Sequence, residues 1–411
     1  MPHHQQAFAS LIDEVFAEEI TFLQHLVQSR SNNSFTPEKS PPDVAVEQQV
    51  AAVIRDQMQR LGLAATLHGV SAQRPNVLCS LPGTDPNGKT LILTTHMDTV
   101  EPVAAYTRDP FGAEIEGGRL YGLGAADAKA QIAAFIYAAL AVRRAGVRLK
   151  GNLTLAFVVD EESGASSPYG TRYLLEQGVL SGDAAIVGEP GNRKIATGHR
   201  GVYRFRVRTF GETVHTGLKE WEEGTRGHNA ALDMAQLTLM LTQCSLPYTP
   251  SPSFPGRRPV LTFPTLIHGG NAVNMVPGQC EAYGEVRLLP GTSEEEIKGT
   301  LTGCFDRSGV SYELETVAFV PSAAIPQESE VVECISSAIE ALTGQRLRRE
   351  GGGPACDGWM FIARGIPAVC GYGVACGGVH GADEWVDIAS LRTATEVFAQ
   401  TIVGYLGVDV S

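Results

Sequence analysis

The segment TLILTTHMD (90–98) is an apolar run that ends in a histidine and an aspartate. Two later segments have the same form. LTLAFVVDEE (153–162) ends in two glutamates, and AAIVGEP (184–190) carries Glu189 directly after its apolar part. Short runs that are apolar on both faces are typical of strands covered on both sides of a sheet. The three segments therefore predict buried strands, each with an acidic or histidine side chain where it ends.

Helical patterns alternate with these strands. Residues 44–62 and 126–145 carry apolar side chains at helical spacing, and a glycine, Gly62 or Gly146, marks the end of each. Strands that alternate with helices predict an α/β fold. We expect its central sheet to be mixed, mostly parallel, with helices on both faces.

The pattern changes near residue 197. Residues 202–210 alternate polar and apolar side chains, like a strand with one face in water. A helix, two strands, a second helix and a closing strand are predicted to follow. This order is that of a small ferredoxin-like α+β domain. We therefore predict a main domain made of residues 1–196 and 321–411, with the small domain inserted at 197–320.

The composition argues against several classes of function. The net charge is −13 and no block of Lys or Arg exceeds two residues, so we expect no nucleic-acid partner. We expect no membrane span, because no apolar run reaches about 18 residues. The start of the chain lacks the pattern of a secretory signal, which predicts a cytoplasmic location. The eight cysteines include no Cys-x-x-Cys pair, and we expect reduced thiols.

Polar residues at the strand ends, together with Asp127 on a turn before the long helix, form the candidate site. Ligands of open α/β sheets gather at the carboxyl ends of the strands. Seven residues are candidates: His96, Asp98, Asp127, Glu161, Glu162, Glu189 and His380. Burying five carboxylates and two imidazoles together without a cation would cost more than a stable fold tolerates. A metal centre is the simplest explanation.

Five of these side chains are sufficient for two metal ions: His96, Asp127, Glu162, Glu189 and His380. One bridging carboxylate, with one histidine and one further carboxylate for each ion, would give two equivalent sites of three ligands. Each ion would keep an open position for a shared water. A donor set without thiolate suits zinc, and it also permits cobalt or manganese.

The other two acids have predicted supporting roles. Asp98, two residues after His96, would accept the free N–H of that histidine and fix its tautomer. Glu161 would face the water and the substrate. We expect it to be the general base, which takes the proton of the water and passes it to the leaving nitrogen.

Seven motifs over nearly the whole chain extend this interpretation: THMDTV (95–100), YGLGAADAK (121–129), VVDEESG (158–164), VGEP (187–190), GHRG (198–201), NMVPG (274–278) and VHGADEWV (379–386). As a set they resemble the co-catalytic zinc metallopeptidase family of aminoacylases, acetylornithine deacetylase and succinyl-diaminopimelate desuccinylase, which also includes glutamate carboxypeptidase and dipeptidases. The resemblance implies a zinc-exopeptidase-like catalytic domain with two Zn²⁺ ions. It also implies that the inserted domain is a lid through which the chain forms a homodimer.

The resemblance assigns individual ligands. It makes Asp127 the bridge between the two ions. His96 and Glu189 would hold one zinc ion. Glu162 and His380 would hold the other.

The resemblance also assigns three residues of the inserted domain. His215 matches a histidine that reaches the active site of a partner subunit and steadies the oxyanion. Asn274 and Arg287 match groups that bind the substrate carboxylate. Arginine suits that task because its planar fork meets a carboxylate in two parallel hydrogen bonds.

The predicted function is hydrolysis of an N-acyl amino acid, a small carboxylate-bearing substrate, with release of the amino acid. A dipeptidase or carboxypeptidase of the same family is the nearest alternative. A cysteine hydrolase with Cys356 as nucleophile and His380 as base is another. A catalytically silent binding module is the most distant. Cys356 stands where many relatives carry Ser or Thr, so the resemblance does not transfer specificity.

Overall fold

The computed structural model describes residues 2–34, 40–163 and 167–410, with side chains from residue 7 onward. Gly164, the last residue of the VVDEESG motif, lies outside these ranges. The chain divides into two compact units. The first consists of Met1–His199 and Ala324–Ser411, and the second of Arg200–Ala323.

The first unit begins with these elements: α1 (Pro2–Gln28), α2 (Gln48–Arg60), β1 (Thr66–Gly69), β2 (Pro75–Leu81), β3 (Thr90–His96), β4 (Ile115–Glu116), β5 (Arg119–Tyr121), a π-helical turn (Ala125–Lys129), α3 (Ala130–Arg144), β6 (Asn152–Val158), α4 (Thr171–Glu176), β7 (Ala184–Val187) and β8 (Lys194–His199). The second unit contains β9 (Gly201–Phe210), α5 (Lys219–Glu222), α6 (Ala230–Leu241), β10 (Val260–Gly269), β11 (Gln279–Leu288), α7 (Glu294–Asp306) and β12 (Tyr312–Val320). The short β13 (Ala323–Ala324) lies at the boundary, and the first unit continues with α8 (Glu330–Thr343), β14 (Arg348–Gly352), α9 (Gly358–Ile362), β15 (Ala368–Val369), β16 (Cys376–Gly377), β17 (Trp385–Asp387) and α10 (Ile388–Leu406).

The main sheet of the first unit has the strand order β1-β2-β6-β3-β7-β15. β1 and β2 pair antiparallel, as do β2 and β6. The pairs β6–β3, β3–β7 and β7–β15 are parallel. The sheet is therefore mixed and mostly parallel, and the α/β fold class is confirmed.

Both faces of this sheet are covered. Leu91 and Leu93 of β3 point into the larger core cluster, which includes residues of α1, α2, α3 and α10. Ile92 points the opposite way, into a smaller cluster with residues of α4 and α9. In the larger cluster Phe135 of α3 meets Phe398 of α10 edge to face, with ring centroids 4.6 Å apart. Alternating burial on both faces explains why the strand sequences are continuously apolar.

The segment Ala125–Arg144 is the one stretch of the described helices that is long and apolar enough to cross a bilayer. All of its apolar window is buried inside the fold, as in a core helix. The helix was predicted over 126–145 and begins only at Ala130. The turn at Ala125–Lys129 precedes α3 and carries Asp127, as predicted, and Asp127 within it has φ −119° and ψ 87°. The backbone of this turn is not helical at Asp127, although the sequence has a helical pattern, and the turn therefore sets the position of the Asp127 carboxylate.

The second unit has one antiparallel four-stranded sheet of order β10-β11-β9-β12. With α6 after β9 and α7 after β11, this is the ferredoxin-like arrangement. Cys244 and Cys304 form a disulfide in this unit, with Cα atoms 6.1 Å apart. The expectation that all eight cysteines are reduced is therefore wrong for this pair. The pair is separated by 60 residues in the chain, so no local spacing could indicate it.

Candidate metal centre and active site

Strand register brings the predicted site residues to one edge of the main sheet. His96, the last residue of β3, lies beside Val158 of β6, and Thr94 lies beside Val187 of β7. Glu161 and Glu162 follow Val158 by three and four residues, and Glu189 follows Val187 by two. Because the three strands are parallel neighbours, their polar extensions emerge at the same edge.

Asp127 lies between two histidines. Its Oδ1 is 3.1 Å from Nε2 of His96, and its Oδ2 is 3.1 Å from Nε2 of His380. His380 Nε2 is also 2.9 Å from Oε1 of Glu162. Asp127 is buried, whereas the His380 side chain is 51% exposed. Burial raises the pKa of Asp127, but the two histidines outweigh burial and hold it below its usual value. One carboxylate thus links two imidazoles through its two oxygens.

Glu384 holds the turn that carries Asp127. Its Oε1 accepts the backbone N–H groups of Ala126 and Asp127 at 2.8 and 2.9 Å, and its Oε2 accepts that of Gly124 at 3.0 Å. The carboxyl is buried, and burial raises its pKa to about 7. The prediction missed this role, although Glu384 lies within the VHGADEWV motif. Its partners are more than 250 residues away in sequence, and no local pattern shows them.

Asp98 lies behind His96 and is fully buried. Nδ1 of His96 is 3.0 Å from the backbone carbonyl oxygen of Asp98 and 3.5 Å from its carboxylate. A neutral His96 therefore donates from Nδ1 and directs the lone pair of Nε2 towards Asp127. Burial raises the pKa of Asp98, but the contact with His96 outweighs burial and holds this pKa below its usual value.

A buried polar network behind Asp98 had not been predicted. Nδ2 of Asn33 donates to Asp98 at 2.9 Å and to Asp160 at 3.0 Å. Arg74, which is fully buried, pairs with Glu47 at 2.5 Å and with Asp160 at 3.2 Å. These residues come from distant parts of the chain, and their sequence surroundings carry no metal-site pattern. These hydrogen bonds and ion pairs hold Asp98 and Asp160 in place behind the carboxylate cluster.

The three glutamates of the site share a low-dielectric, negatively charged setting. Burial and neighbouring carboxylates raise the pKa of Glu161, Glu162 and Glu189, although the histidines act in the opposite direction. Oε1 of Glu189 is buried and has no hydrogen-bond partner among the described residues. A buried carboxylate oxygen without a partner is costly unless a cation meets it.

The side chains fit two metal ions that share a ligand. His96, Asp127 and Glu189 have ligand atoms within 4.8 Å of one another, and so do Asp127, Glu162 and His380. Each set offers one imidazole and two carboxylates, and Asp127 belongs to both. His96, Glu161 and Glu162 form a third close set. The structure thus brings together all seven residues predicted for the candidate site.

The three residues predicted in the inserted domain lie in the second unit. Nδ1 of His215 accepts the backbone N–H of Gly217 at 3.0 Å, and its Nε2 lies 3.0 Å from the side-chain amide of Asn274. Because Nδ1 accepts, a neutral His215 carries its proton on Nε2, and Asn274 must then turn its amide oxygen, not its NH₂ group, towards that N–H. Arg287 donates from Nε to Glu285 at 2.6 Å. Their relation to the carboxylate cluster stays a prediction.

Cys356 does not have the surroundings of a nucleophile. It is buried, and a hydrogen bond with the Cys370 thiol, together with burial, raises its pKa well above the usual value. A catalytic thiol needs a lowered pKa and some exposure. His380, its predicted base, faces Asp127 and Glu162 instead. The geometry disfavours the cysteine hydrolase alternative.

A sequence model of the peptidase family M20/M25/M40 matches residues 92–403, which is most of the chain. The chain belongs to this family. As a family M20 member it is a metallohydrolase that acts on amide or peptide bonds, as predicted. The resemblance drawn from the seven motifs is confirmed.

Individual relatives agree with this assignment. This M20 chain is 28% identical over 393 residues to the succinyl-diaminopimelate desuccinylase of Thioalkalivibrio sulfidiphilus (strain HL-EbGR7), covering 93% of this chain and 97% of that protein. Its fold is similar to that of human carnosine dipeptidase 1, with a TM-score of 0.76, 18% identity and 98% coverage of each chain. It is also similar to the Bacillus subtilis YXEP protein, described as a dinuclear metal binding peptidase from the M20 family, with a TM-score of 0.66, 17% identity and coverage of 96% and 99%.

Proposed function

We propose that this M20 enzyme hydrolyses the amide bond of an N-acyl amino acid and releases the free amino acid. The observation that carries the proposal is the position of Asp127, whose two oxygens each meet a different histidine at 3.1 Å. A carboxylate placed in this way can bridge two metal ions and hold them close enough to act on one bond.

The proposed centre contains two zinc ions. His96 and Glu189 would hold one ion, Glu162 and His380 would hold the other, and Asp127 would serve both. The mixed imidazole and carboxylate set favours zinc and accepts cobalt or manganese. When bound, the ions supply a water of lowered pKa and polarise the carbonyl of the amide.

Glu161 is the proposed general base. It is half-buried, adjacent to the ligand Glu162, and has a raised pKa caused first by burial. A group that accepts a proton and releases it within one turnover works best when its pKa is near the working pH. Glu161 takes the proton of the attacking water and delivers it to the leaving nitrogen. Asp98 keeps Glu161 in place through the backbone N–H of that residue, at 3.2 Å.

The second unit is proposed to recognise the substrate. The Nε2–H of His215 is a donor suited to the oxyanion of the tetrahedral intermediate. Arg287 and Asn274 are proposed to bind the substrate carboxylate. Glu285 anchors Arg287 through Nε at 2.6 Å, which orients the guanidinium plane. A planar guanidinium held in this way is prepared for two parallel hydrogen bonds to a carboxylate.

Deacylation is favoured over dipeptide cleavage by the curated relatives. Eight of them, 27–28% identical, are named succinyl-diaminopimelate desuccinylase. We therefore propose an acyl group that itself ends in a carboxylate. The second candidate is a dipeptidase, which the fold likeness to carnosine dipeptidase 1 keeps open.

We further propose a homodimer formed through the second unit. β10 is an edge strand of its sheet, and α6 contacts it. Leu232 and Leu239 of α6 are 67% and 68% exposed, and Leu266 and Ile267 of β10 are each 51% exposed. An exposed apolar edge strand favours pairing with another chain. A two-fold axis would pair β10 with its own copy. Sedimentation equilibrium of Ile267→Asp checks this, with a shift from dimer to monomer expected.

A cytoplasmic location is proposed as well. Six cysteines of the described chain are free thiols, which suits a reducing compartment, whereas the Cys244–Cys304 disulfide points the other way. Fractionation of source cells checks the location, and recovery outside the cytoplasm would contradict it.

A substrate panel with metal control tests the proposed function. The purified enzyme is assayed before chelation, after chelation and after zinc is restored, with N-succinyl and N-acetyl amino acids and dipeptides. We expect cleavage that is lost on chelation, recovers with zinc, and is fastest for an N-succinyl substrate. Preferential cleavage of dipeptides would favour the second candidate. No cleavage of any panel member after zinc addition would contradict the proposal.

A further inference from the structure

Three soft metal-ligating side chains meet outside the carboxylate centre. A ring nitrogen of His199 and the sulfur atoms of Cys356 and Cys370 lie within 4.8 Å of one another. All three residues are buried and belong to the first unit. His199 ends β8, Cys356 precedes α9, and Cys370 follows β15. The cluster therefore joins three separate segments of the chain.

We propose that His199, Cys356 and Cys370 bind a zinc ion at a site of three protein ligands, distinct from the dinuclear centre. Two thiolates and one imidazole are ligands that zinc takes readily, and thiolates select it over hard cations. Binding breaks two S–H bonds, releases two protons to solvent and forms two Zn–S bonds. The two thiolate charges then balance the charge of Zn²⁺. A neutral cluster suits a buried position better than the singly negative cluster that Cu⁺ would give.

The backbone around the sulfur atoms supports this assignment. A Cβ atom at Gly358 would lie 2.4 Å from Sγ of Cys370 and 3.4 Å from Sγ of Cys356, so a side chain at this position would displace the first sulfur. The backbone N–H of Gly358 also points to Sγ of Cys356, at 3.5 Å. An N–H donor stabilises a thiolate more than a neutral thiol. Glycine thus leaves room for the sulfur atoms and supplies a donor.

The site would stabilise the wall beside the carboxylate centre. The backbone N–H of Cys370 donates to Ala196 of β8 at 2.7 Å. A Cβ atom at the next residue, Gly371, would lie 3.2 Å from Cβ of Glu189. A zinc ion on Cys370 would therefore fix the backbone against which Glu189 packs. It would act by cross-linking β8, the segment before α9 and the segment after β15.

Cobalt spectroscopy tests this site without an activity assay. The protein is stripped of metal without added reductant, so that the Cys244–Cys304 disulfide stays closed, and it is then titrated with Co²⁺. The intense near-ultraviolet absorption of sulfur-to-cobalt charge transfer is recorded. The carboxylate centre contains no sulfur and cannot produce this band. At saturation we expect a band whose intensity corresponds to one sulfur-bound cobalt ion per chain. Saturation without the band, or a thiol titration that shows Cys356 and Cys370 joined as a disulfide, would overturn the proposal.

Variants assign the band to residues. Cys356→Ser combined with Cys370→Ser should abolish it and lower the zinc content by one ion per chain. Cys334→Ser removes a free cysteine outside the cluster and should leave the band unchanged. A band that survives the double variant, or disappears in the control, would overturn the proposal. Mn²⁺ binding by the carboxylate centre, measured in parallel, separates this result from any failure of the proposed hydrolase.

X-ray absorption of the zinc-loaded wild type covers the case in which the double variant does not fold. Zn–S scattering at about 2.3 Å is expected for one ion per chain. Scattering from nitrogen and oxygen alone would refute the site.

Discussion

Asp98 and Glu162 are joined by a hydrogen bond of 2.9 Å, from the backbone N–H of Glu162 to Oδ2 of Asp98. Oδ1 of Asp98 accepts the N–H of Glu161 at 3.2 Å and lies 3.5 Å from Nδ1 of His96. One buried carboxylate therefore positions a proposed ligand of each metal ion and the proposed base. The sequence interpretation gave Asp98 only the contact with His96.

Asp98→Asn tests this positioning role. An asparagine keeps the size of the side chain but turns an acceptor oxygen into an N–H donor that faces backbone N–H groups. Loss of such a supporting contact typically lowers metal affinity by about 10- to 100-fold. We expect a loss of this size for both ions, measured by competition with a chelating dye.

Asp183→Asn is the matched control. Asp183 is exposed and accepts the backbone N–H of Thr90, at the opposite end of β3, at 2.7 Å. The control should bind metal as the wild type does. An Asp98→Asn enzyme with unchanged affinity would show that Asp98 does not support the centre.

Glu161→Gln tests the general base. Glutamine preserves the shape of the side chain but cannot take a proton, so kcat should fall by about 10²- to 10⁴-fold. Metal content should stay at the wild-type value, since Glu161 is not a proposed ligand. Glu176→Gln, an exposed glutamate at the end of α4, is the control and should keep full activity. Loss of both metal ions in Glu161→Gln would refute the assignment of the base.

Arg287→Ala tests carboxylate recognition. Hydrogen bonds to a charged group contribute about 1.5–3 kcal/mol, so KM for an N-succinyl substrate should rise by about 10- to 100-fold. Arg204→Ala is the control, because Arg204 also donates to Glu285, at 2.9 Å. It uses Oε2 of that carboxylate, whereas Arg287 uses Oε1. Equal rises in KM for both variants would assign the effect to Glu285 rather than to substrate binding.

Glu19 predicts a pH dependence of stability. It is fully buried, Thr395 donates to its Oε1 at 2.6 Å, and its Oε2 has no hydrogen-bond partner among the described residues. Burial, opposed by Thr395 and Arg392, raises its pKa from 4.5 to about 8. Between these two pKa values the folded state holds a proton that the unfolded state releases. The free energy of unfolding therefore falls as the pH rises through this window.

Glu19→Gln should remove this part of the pH dependence. Relative to the wild type, the variant should gain stability of the order of a few kcal/mol between about pH 5 and about pH 8, at about 1.4 kcal/mol per pKa unit. Urea unfolding at a series of pH values measures the difference. Glu14→Gln, an exposed glutamate on the same helix, should follow the wild type. Parallel curves for wild type and Glu19→Gln would contradict the prediction.

The strand ends were the most predictable part of the site. His96, Glu162 and Glu189 follow apolar runs, and parallel pairing brings the ends of such runs together whatever the details of the loops. Burial on both faces, seen at Leu91 and Ile92, made the same runs recognisable as central strands.

The other parts of the site depend on contacts between residues that are distant in the sequence. Glu384 reaches Asp127 across 257 residues, and Asn33 reaches Asp160 across 127. Periodicity reports which face of an element is buried and says nothing about which remote partner it meets. The predicted helix over 126–145 begins too early, because the alanines of the turn around Asp127 have high helix propensity, which tertiary contacts override. No prediction was made for α1, which packs its apolar side chains into the larger core cluster.

Electron paramagnetic resonance of the Mn²⁺-loaded enzyme tests the bridging role of Asp127 most directly. Manganese is a hard ion that avoids thiolates and suits carboxylate and imidazole ligands, so it reports on this centre alone. At two equivalents per chain we expect the exchange-coupled spectrum of a bridged pair in the wild type, and loss of that coupling in Asp127→Ala. A wild-type spectrum of magnetically isolated Mn²⁺ ions, or binding of only one ion per chain, would contradict a dinuclear centre built on Asp127.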